Sequence, residues 1–420
     1  MRVGIIGIGY VGLPTAVCLA SFGHRIICID TNAQKIKDLE NGKMPIFEKG
    51  LYEIFESYRE NIKFSTDYED LKDTDIIIIA VGTPQSESGE ADLSYLYSVA
   101  KSLKITESQV IAIKSTVPVG TNDSIKEIIK QNNEANFHLI SMPEFLREGF
   151  AVEDFLNPDR IVVGSRVEDY DVVQNVIYAL YPAYYANRIL FTDVKSAELI
   201  KYASNAFLAT KIHFINEIAN ICEKVNADVN AVAQGMGLDS RIGSKFLSAG
   251  VGFGGSCFPK DTIALFHTAL KHDVFLSIVD SVIKGNNLRK IQFAQKILKK
   301  IKGIKNPIIA FMGVAFKSGT DDCRESSAIA MIKYIQQQNK TVRIRCYDKL
   351  AIENAKKLLE NVEFTDNLME AAENADLIII MNEDEEFIQL SLLNKTIFDF
   401  RGIMPYKQNI YKIGVHDFDA

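Results

Sequence analysis

The chain has 420 residues, 47% of them hydrophobic, more than one ordinary core organises, which predicts two or three globular domains. Against 54 acidic side chains stand 47 basic ones, a formal charge of −7 with a sequence pI near 5.6; that balance argues against general nucleic-acid binding and obliges any anionic ligand to meet a local basic cluster. The six cysteines, at 18, 28, 222, 257, 323 and 346, form no CxxC pair and no metal-ligand spacing with histidine, so neither a disulfide framework nor a bound metal is expected and a reducing cytoplasm fits best.

The amino terminus runs straight into a strand pattern without a charged leader, and no apolar run reaches membrane-spanning length, so a soluble protein is expected. Residues 2–6 predict a buried parallel strand, followed by Gly7-Ile8-Gly9-Tyr10-Val11-Gly12 and an apolar helical pattern to Phe22. In such a strand, turn and helix, Gly7 makes the tight turn and Gly9 admits a pyrophosphate to the backbone. Gly12 allows close packing, and the helix amides favour the anion. A second strand, 25–29, ends at Asp30, where a carboxylate takes a ribose 2′-hydroxyl and disfavours a 2′-phosphate, so NAD is expected over NADP.

The alternation continues through strands at 75–81, 110–114 and 137–141 and helices at 93–103 and after Gly120. Doubly wound α/β units bind ligands at the strand ends, which makes Thr83 and Thr116 candidate cofactor contacts, although threonine beside proline is equally ordinary turn chemistry. The next loop, 142–149, carries Glu144 and Glu148 four apart and Arg147, suited either to positioning water or to the surface of a short helix. Residues 192–226 contain neither glycine nor proline and predict one long helix, an inter-domain spine or a dimer element. Lys201 and Asn205 share a face of it and would orient a hydroxyl or an oxyanion, or simply reach solvent.

Arg241 and Lys245 add positive charge just before GVGFGGSCFPKD at 250–261. There Cys257 lies between a glycine run and a helix start, with Pro259 in the first turn and Lys260 beside it. Helix amides and the ammonium would lower the thiol pKa and make Cys257 a nucleophile, with Asp261 one turn on; the alternative is a small buried apolar residue. The basic segment 296–305 reads as a solvated helix end and linker. Beyond it, strands at 307–313, 342–347, 376–380 and 396–400 and a polar loop at 315–327 repeat the βαβ order without the glycine fingerprint, suited to a different nucleotide.

Taken together, GIGYVGLP at 7–14, STVPVGT at 115–121, PEFLREG at 143–149, ELIKYASNAFLATKI at 198–212, RIGSKFLSAGVGFGGSCFPKD at 241–261 and GVAFKSGTDDCRESSA at 313–328 carry a resemblance over essentially the whole chain. The chain resembles the UDP-glucose 6-dehydrogenases within the nucleotide-sugar dehydrogenases. The resemblance implies an α/β fold of two Rossmann-like doubly wound domains joined by a long central helix that forms a homodimer. It divides the chain into an NAD-binding domain (1–191), a central helical dimerisation region with the cysteine loop (192–300) and a UDP-sugar-binding domain (301–420). It further implies that UDP-glucose is oxidised twice at C6 with two NAD.

On this resemblance Cys257 is the nucleophile that forms a thiohemiacetal and then a thioester. Lys201 stabilises negative charge on oxygen, Asn205 holds the sugar, Asp261 and Glu144 position or deprotonate water, and Thr116 stands beside them. NAD would meet Gly7, Gly9, Tyr10, Val11, Gly12 and Asp30, with Lys35, Thr83, Thr116, Glu148, Lys260 and Arg324. The UDP-sugar would meet Glu144, Phe145, Leu146, Arg147 and Glu148, then Lys201, Asn205, Phe246, Gly254 and Cys257, and finally Phe316, Lys317 and Arg401, with Arg241 reaching across the dimer. Sister enzymes acting on UDP-N-acetylmannosamine, another UDP-N-acetylhexosamine or GDP-mannose would need the same cysteine, but NAFLATKI and RIGSKFL look more like the glucose branch. A non-catalytic nucleotide-sugar-binding protein would be expected to lack one of Lys201, Asn205, Cys257 and Asp261.

Overall fold

In the computed structural model, which describes residues 1–86 and 89–418, the chain forms two units, Met1–Ser204 and Asn205–Ala420. The first opens with β1 (Arg2–Ile6), α1 (Gly12–Ser21), β2 (Arg25–Ile29), α2 (Ala33–Glu40), α3 (Leu51–Tyr58) and β3 (Ile62–Ser65). It continues through β4 (Ile76–Ile79), α4 (Ser94–Ser102), β5 (Gln109–Ile113), α5 (Thr121–Asn132) and β6 (Phe137–Ser141). It closes with α6 (Ala151–Leu156), β7 (Ile161–Gly164), α7 (Tyr170–Leu180) and β8 (Ile189–Thr192). The sheet order is β3-β2-β1-β4-β5-β6-β7-β8. Its first six strands are parallel in the dinucleotide-binding order 3-2-1-4-5-6, and β7 joins β6 antiparallel at Ser141 and Gly164.

Alternation across the pleat explains why the strands read as continuous apolar runs. Val3, Ile5, Ile76 and Ile78 pack with Leu13, Val17 and Phe55 on one face, whereas Ile77, Ile79, Ile111 and Ile113 pack with Leu96, Ile125 and Ile129 on the other. Both faces are covered by helices, so the central strand β4 is apolar at all four of its residues, Ile76 to Ile79. The loops at the carboxyl ends of β1, β2, β4, β5 and β6 carry the candidate residues.

The expected helix at 192–226 starts later than its apolar pattern. Thr192 closes β8, and α8 (Val194–Val225) begins after Asp193, whose Oδ1 accepts the Ser196 N–H at 2.9 Å and supplies the start signal. Helix α8 runs out of the first unit into the second. There follow α9 (Val229–Gly237), α10 (Phe258–Lys271), α11 (Ser277–Lys300), β9 (Ile308–Met312), α12 (Ser327–Gln338), β10 (Arg343–Tyr347) and α13 (Ile352–Lys356). The unit ends with β11 (Val362–Phe364), α14 (Leu368–Ala372), β12 (Leu377–Ile380), β13 (Ile397–Asp399) and β14 (Ile410–Lys412).

These strands form an all-parallel sheet, β11-β10-β9-β12-β13-β14, with the same 3-2-1-4-5-6 order. The echo reaches the first turn. Gly313 N–H donates to Tyr347 O at 2.8 Å as Gly7 N–H donates to Ile29 O at 2.8 Å, and Asp348 follows β10 as Asp30 follows β2.

Of the solvated helix end and linker expected at 296–305, residues 296–300 do end α11. The solvation differs: Ile297 and Ile301 are buried, and Lys296 Nζ lies 2.9 Å from the buried Glu223 carboxylate and above the Phe293 ring. Lysine carries a long apolar stem, so a basic run still covers a core.

Candidate active site residues

The nucleotide turn is built by close approach. A Cβ on Gly12 would lie 1.8 Å from Gly7 O, so no larger residue lets α1 start this close to β1. Asp30 ends β2 beside it. Its Oδ2 accepts the Ile8 N–H at 3.1 Å and Lys35 Nζ at 2.7 Å, and its Oδ1 accepts the Asn32 N–H at 3.0 Å. Burial pushes this carboxyl up, but these hydrogen bonds and the Lys35 charge outweigh it and hold Asp30 below the usual carboxylate range. An ionised carboxylate beside a glycine turn, with a helix amino terminus behind it, fits the ribose and pyrophosphate of NAD. At the ends of β4 and β5, Thr83 Oγ1 donates to Thr116 O at 2.8 Å and Ser115 Oγ to Val81 O at 2.7 Å, which ties the two loops together.

Residues 142–147 have no helical structure, so the glutamates of that loop are not the surface of a short helix. Glu144 turns inward. Its Oε2 accepts the Leu146 N–H at 2.6 Å and its Oε1 accepts Lys201 Nζ at 2.9 Å, with the two side chains only 6% and 4% exposed. Burial alone would raise Glu144, but the charges of Lys201 and Lys114 and the hydrogen bonds hold it below its ordinary value. Phe145 lies between cations, with the Arg160 guanidinium 3.9 Å from its ring centre and Lys201 Nζ at 5.4 Å. Arg147 forks onto Asp154 through Nε at 2.9 Å and Nη2 at 2.6 Å, and Glu48 accepts the Gly149 and Ala151 N–H groups at 2.7 and 3.1 Å.

Two residues of this neighbourhood carried no assignment from the sequence. Glu198, one turn before Lys201, accepts the N–H groups of Gly120 and Asn122 at 2.7 and 2.9 Å and the Asn122 side-chain amide at 2.8 Å. One turn of α8 thereby holds the 115–121 loop through Glu198 and the 142–149 loop through Lys201. Lys114, just past β5, is buried, and burial pushes its pKa down to about 8, although Glu144 pulls it back up. Glu198 lay within the ELIKYASN motif, where a helical carboxylate looks like solvated surface, and Lys114 looked like the polar end of a strand.

In the second unit Cys257 occupies the N-cap position of α10, partly exposed, with Pro259 in the first turn and Ser256 Oγ 3.5 Å from its sulfur. Asp261, fully buried one turn on, accepts the Asn205 side-chain amide at 2.6 Å through Oδ2 and Lys260 Nζ at 2.6 Å through Oδ1. A Cβ on Gly254 would stand 2.2 Å from Glu325 O, so the loop before the cysteine presses backbone on backbone, with Phe316 alongside. Lys317 Nζ lies 5.6 Å from the Phe316 ring centre, and Phe246 meets Phe258 edge-on. Arg401 donates through Nε to Met381 O at 2.7 Å, and burial pushes its guanidinium pKa down.

Within each unit, then, the structure groups Asp30 with Lys35, Thr83 with Thr116, Glu144 with Phe145 and Lys201, and Asn205 with Lys260 and Asp261. Arg241 and Arg324 instead fork onto their neighbours Asp239 and Asp322, with the Arg241 side chain 87% exposed.

Comparison with known proteins matches three successive segments of the chain. Residues 1–182 match the NAD binding domain of the UDP-glucose/GDP-mannose dehydrogenase family, 195–288 its central domain and 310–406 its UDP binding domain. The chain is 45% identical over 397 residues to the UDP-glucose 6-dehydrogenase of Rhizobium meliloti, covering 92% of this chain and 90% of that protein. It is 44% identical to the UDP-glucose 6-dehydrogenase YwqF of Bacillus subtilis, covering 93% and 90%. Among solved structures, a UDP-glucose dehydrogenase from the hyperthermophilic archaeon Pyrobaculum islandicum matches with a TM-score of 0.92 at 32% identity, covering 99% and 98% of the two chains. No helix among the described residues is long and apolar enough to cross a membrane. With three family domains matched in order and relatives of this identity spanning nearly the whole length, the chain belongs to the UDP-glucose/GDP-mannose dehydrogenase family, whose amino-terminal domain binds NAD.

Proposed function

We propose that this chain oxidises UDP-glucose at C6 to UDP-glucuronate, in two oxidations at one sugar, with Cys257 as the covalent nucleophile. The observation that carries the reading is the placement of that thiol. The other five cysteines are buried, and burial raises the pKa of each, to about 12 for Cys18 and Cys323. Cys257 alone among the described cysteines is partly exposed, and it heads a helix whose amino-terminal dipole favours a thiolate.

The alcohol at C6 loses a hydride and its hydroxyl proton to become an aldehyde. The Cys257 thiolate adds to that carbonyl, whose oxygen takes up a proton, to give a thiohemiacetal; loss of a second hydride from C6 with the hydroxyl proton gives a thioester, and water cleaves the carbon–sulfur bond to release the carboxylate, a proton and the thiol. NAD, when bound at the Gly7–Gly12 turn and Asp30, accepts a hydride in each oxidation. Following the family pattern, Lys201 stabilises negative charge on the substrate oxygen, Asn205 holds the sugar, and Asp261 and Glu144 orient water and take its proton, with Thr116 in support. Phe145 to Glu148, Phe246, Gly254, Phe316, Lys317 and Arg401 bind the nucleotide sugar. Lys35, Thr83, Glu148, Lys260 and Arg324 bind the cofactor. Residues 1–191, 192–300 and 301–420 act as cofactor, central and UDP-sugar domains.

We also propose a homodimer through α8, in which Arg241 reaches the partner's substrate, and a reducing, cytoplasmic setting. Exposed Phe207, Phe214 and Ile221 recur every seven residues along α8 and support the helix as the contact. The test is the number of NADH formed per UDP-glucose consumed by the purified protein, followed at 340 nm. Two supports the proposal, one means that aldehyde is released, and none, with turnover of another nucleotide sugar, moves the chain to a sister activity.

A further inference from the structure

Residues 250–255 include Gly250, Gly252, Gly254 and Gly255, a composition that gives the chain the most backbone freedom to lose. The fold nevertheless ties this stretch nearly residue by residue. Gly250 N–H donates to Asn216 Oδ1 at 2.8 Å, and Gly250 O accepts Arg289 Nε at 2.5 Å. Gly252 O accepts the Ser327 hydroxyl at 3.1 Å, and Gly255 N–H donates to Arg324 O at 2.9 Å. Between them, one side chain of α11 takes both backbone groups of a single residue: Asn286 Oδ1 accepts the Phe253 N–H at 2.7 Å, and Asn286 Nδ2 donates to Phe253 O at 3.0 Å. Asn286 is buried, and a Cβ on Gly252 would lie 2.8 Å from its Oδ1. A side-chain amide offers an acceptor and a donor side by side in the manner of a neighbouring strand. Phe253 in turn packs edge-on against Phe258, the first residue of α10, so its position is passed directly to the helix whose cap is Cys257.

We propose that Asn286 is a positioning residue for Cys257: by pairing with both backbone groups of Phe253 it fixes the register in which the glycine loop enters α10, and with it the direction of the thiol. This rests on the reading of Cys257 as nucleophile. Two replacements test it, Asn286→Leu, which keeps the size and removes both hydrogen bonds, and Asn286→Asp, which keeps the acceptor and loses the donor.

In Asn286→Leu, amide hydrogen exchange in residues 250–257 is expected to accelerate about tenfold or more, and kcat with UDP-glucose to fall by about tenfold or more. The KM for NAD is expected to stay within about twofold of wild type, since positioning of the thiol leaves the cofactor turn alone. Asn286→Asp, whose second oxygen faces the Phe253 carbonyl without a proton to donate, is expected to loosen the loop and lower kcat as well, and it decides the matter where the leucine variant does not fold. Unchanged exchange in the loop, or an unchanged kcat with a loosened loop, overturns the proposal. If the wild type leaves UDP-glucose untouched, the reading of the reaction fails by itself, and the positioning role is then judged by the rate of Cys257 alkylation with iodoacetamide. A change of about threefold or more between wild type and variants sustains it, and equal rates overturn it.

Discussion

Asp30 shows how one side chain is prepared before any ligand arrives. Ile8 and Asn32 amides and the Lys35 ammonium keep it ionised at the end of β2, and Asp30→Ala is expected to raise the KM for NAD about tenfold or more while the KM for UDP-glucose changes little, read from initial rates. Glu144 and Lys201 are a different case, two charges removed from water together. Lys201→Met leaves the buried Glu144 carboxylate with only the Leu146 N–H and the Lys114 charge, and is expected to cost about 3 kcal/mol in chemical denaturation at neutral pH. Because the folded pKa of Glu144 lies below its ordinary 4.5, the contribution of the pair is complete above that value and is lost as pH falls through the folded one; the acid limb of the stability curve is expected to flatten in Glu144→Gln. Lys114 has the opposite signature. Its folded pKa of about 8 lies below the ordinary 10.5, so the unfolded chain binds more protons between them, and stability gains from this group as pH rises through that window, a gain expected to vanish in Lys114→Met. Asp30 was legible because a fixed chain distance separates it from the glycine turn. Lys114 was not, because its environment is assembled from Glu144 and Lys201, far away in sequence.

Among the elements, α8 fastens two loops through residues three apart. Removing the Glu198 carboxylate by Glu198→Ala strips three donors of their acceptor at the start of α5, and is expected to cost about 2–4 kcal/mol by urea denaturation and to raise the KM for NAD through the loosened Thr83 and Thr116 loops. Long elements and those with a distinctive turn were readable: α8 from its uninterrupted helical composition, α1 from the fingerprint, α10 from Pro259 after the cysteine. Strands β3, β7, β8, β11 and β14 were not, each only three or four residues long. In β3, β11 and β14 the apolar signal is broken by Lys63, Glu363 and Lys412, and these become strands because a neighbouring edge supplies the hydrogen bonds. The grip on the glycine loop was invisible for the same kind of reason, since Asn286 and Arg289 sit in a helix whose polar face looks ready for water.

At the scale of the whole molecule, the repeated 3-2-1-4-5-6 order was foreshadowed by the order of strands and helices, but its seat on a shared turn geometry was not. The dimer proposal belongs here: Phe207→Glu with Phe214→Glu is expected to move the mass by light scattering from twice 47.0 kDa to 47.0 kDa, and an unchanged mass removes α8 from the interface. The two turns, alike in their glycine and their following aspartate, differ in what the aspartate is left to do. Asp348 accepts the N–H groups of Val314, Ala315, Leu350 and Ala351 at 2.7 to 3.0 Å, which fills the roughly four acceptor sites of a carboxylate. It is a buckle closed on its own strap. Grafting the amino-terminal glycines onto residues 313–318 would therefore not create a second redox half in this chain; an engineer would first have to unfasten that buckle and give the four amides another anion to hold.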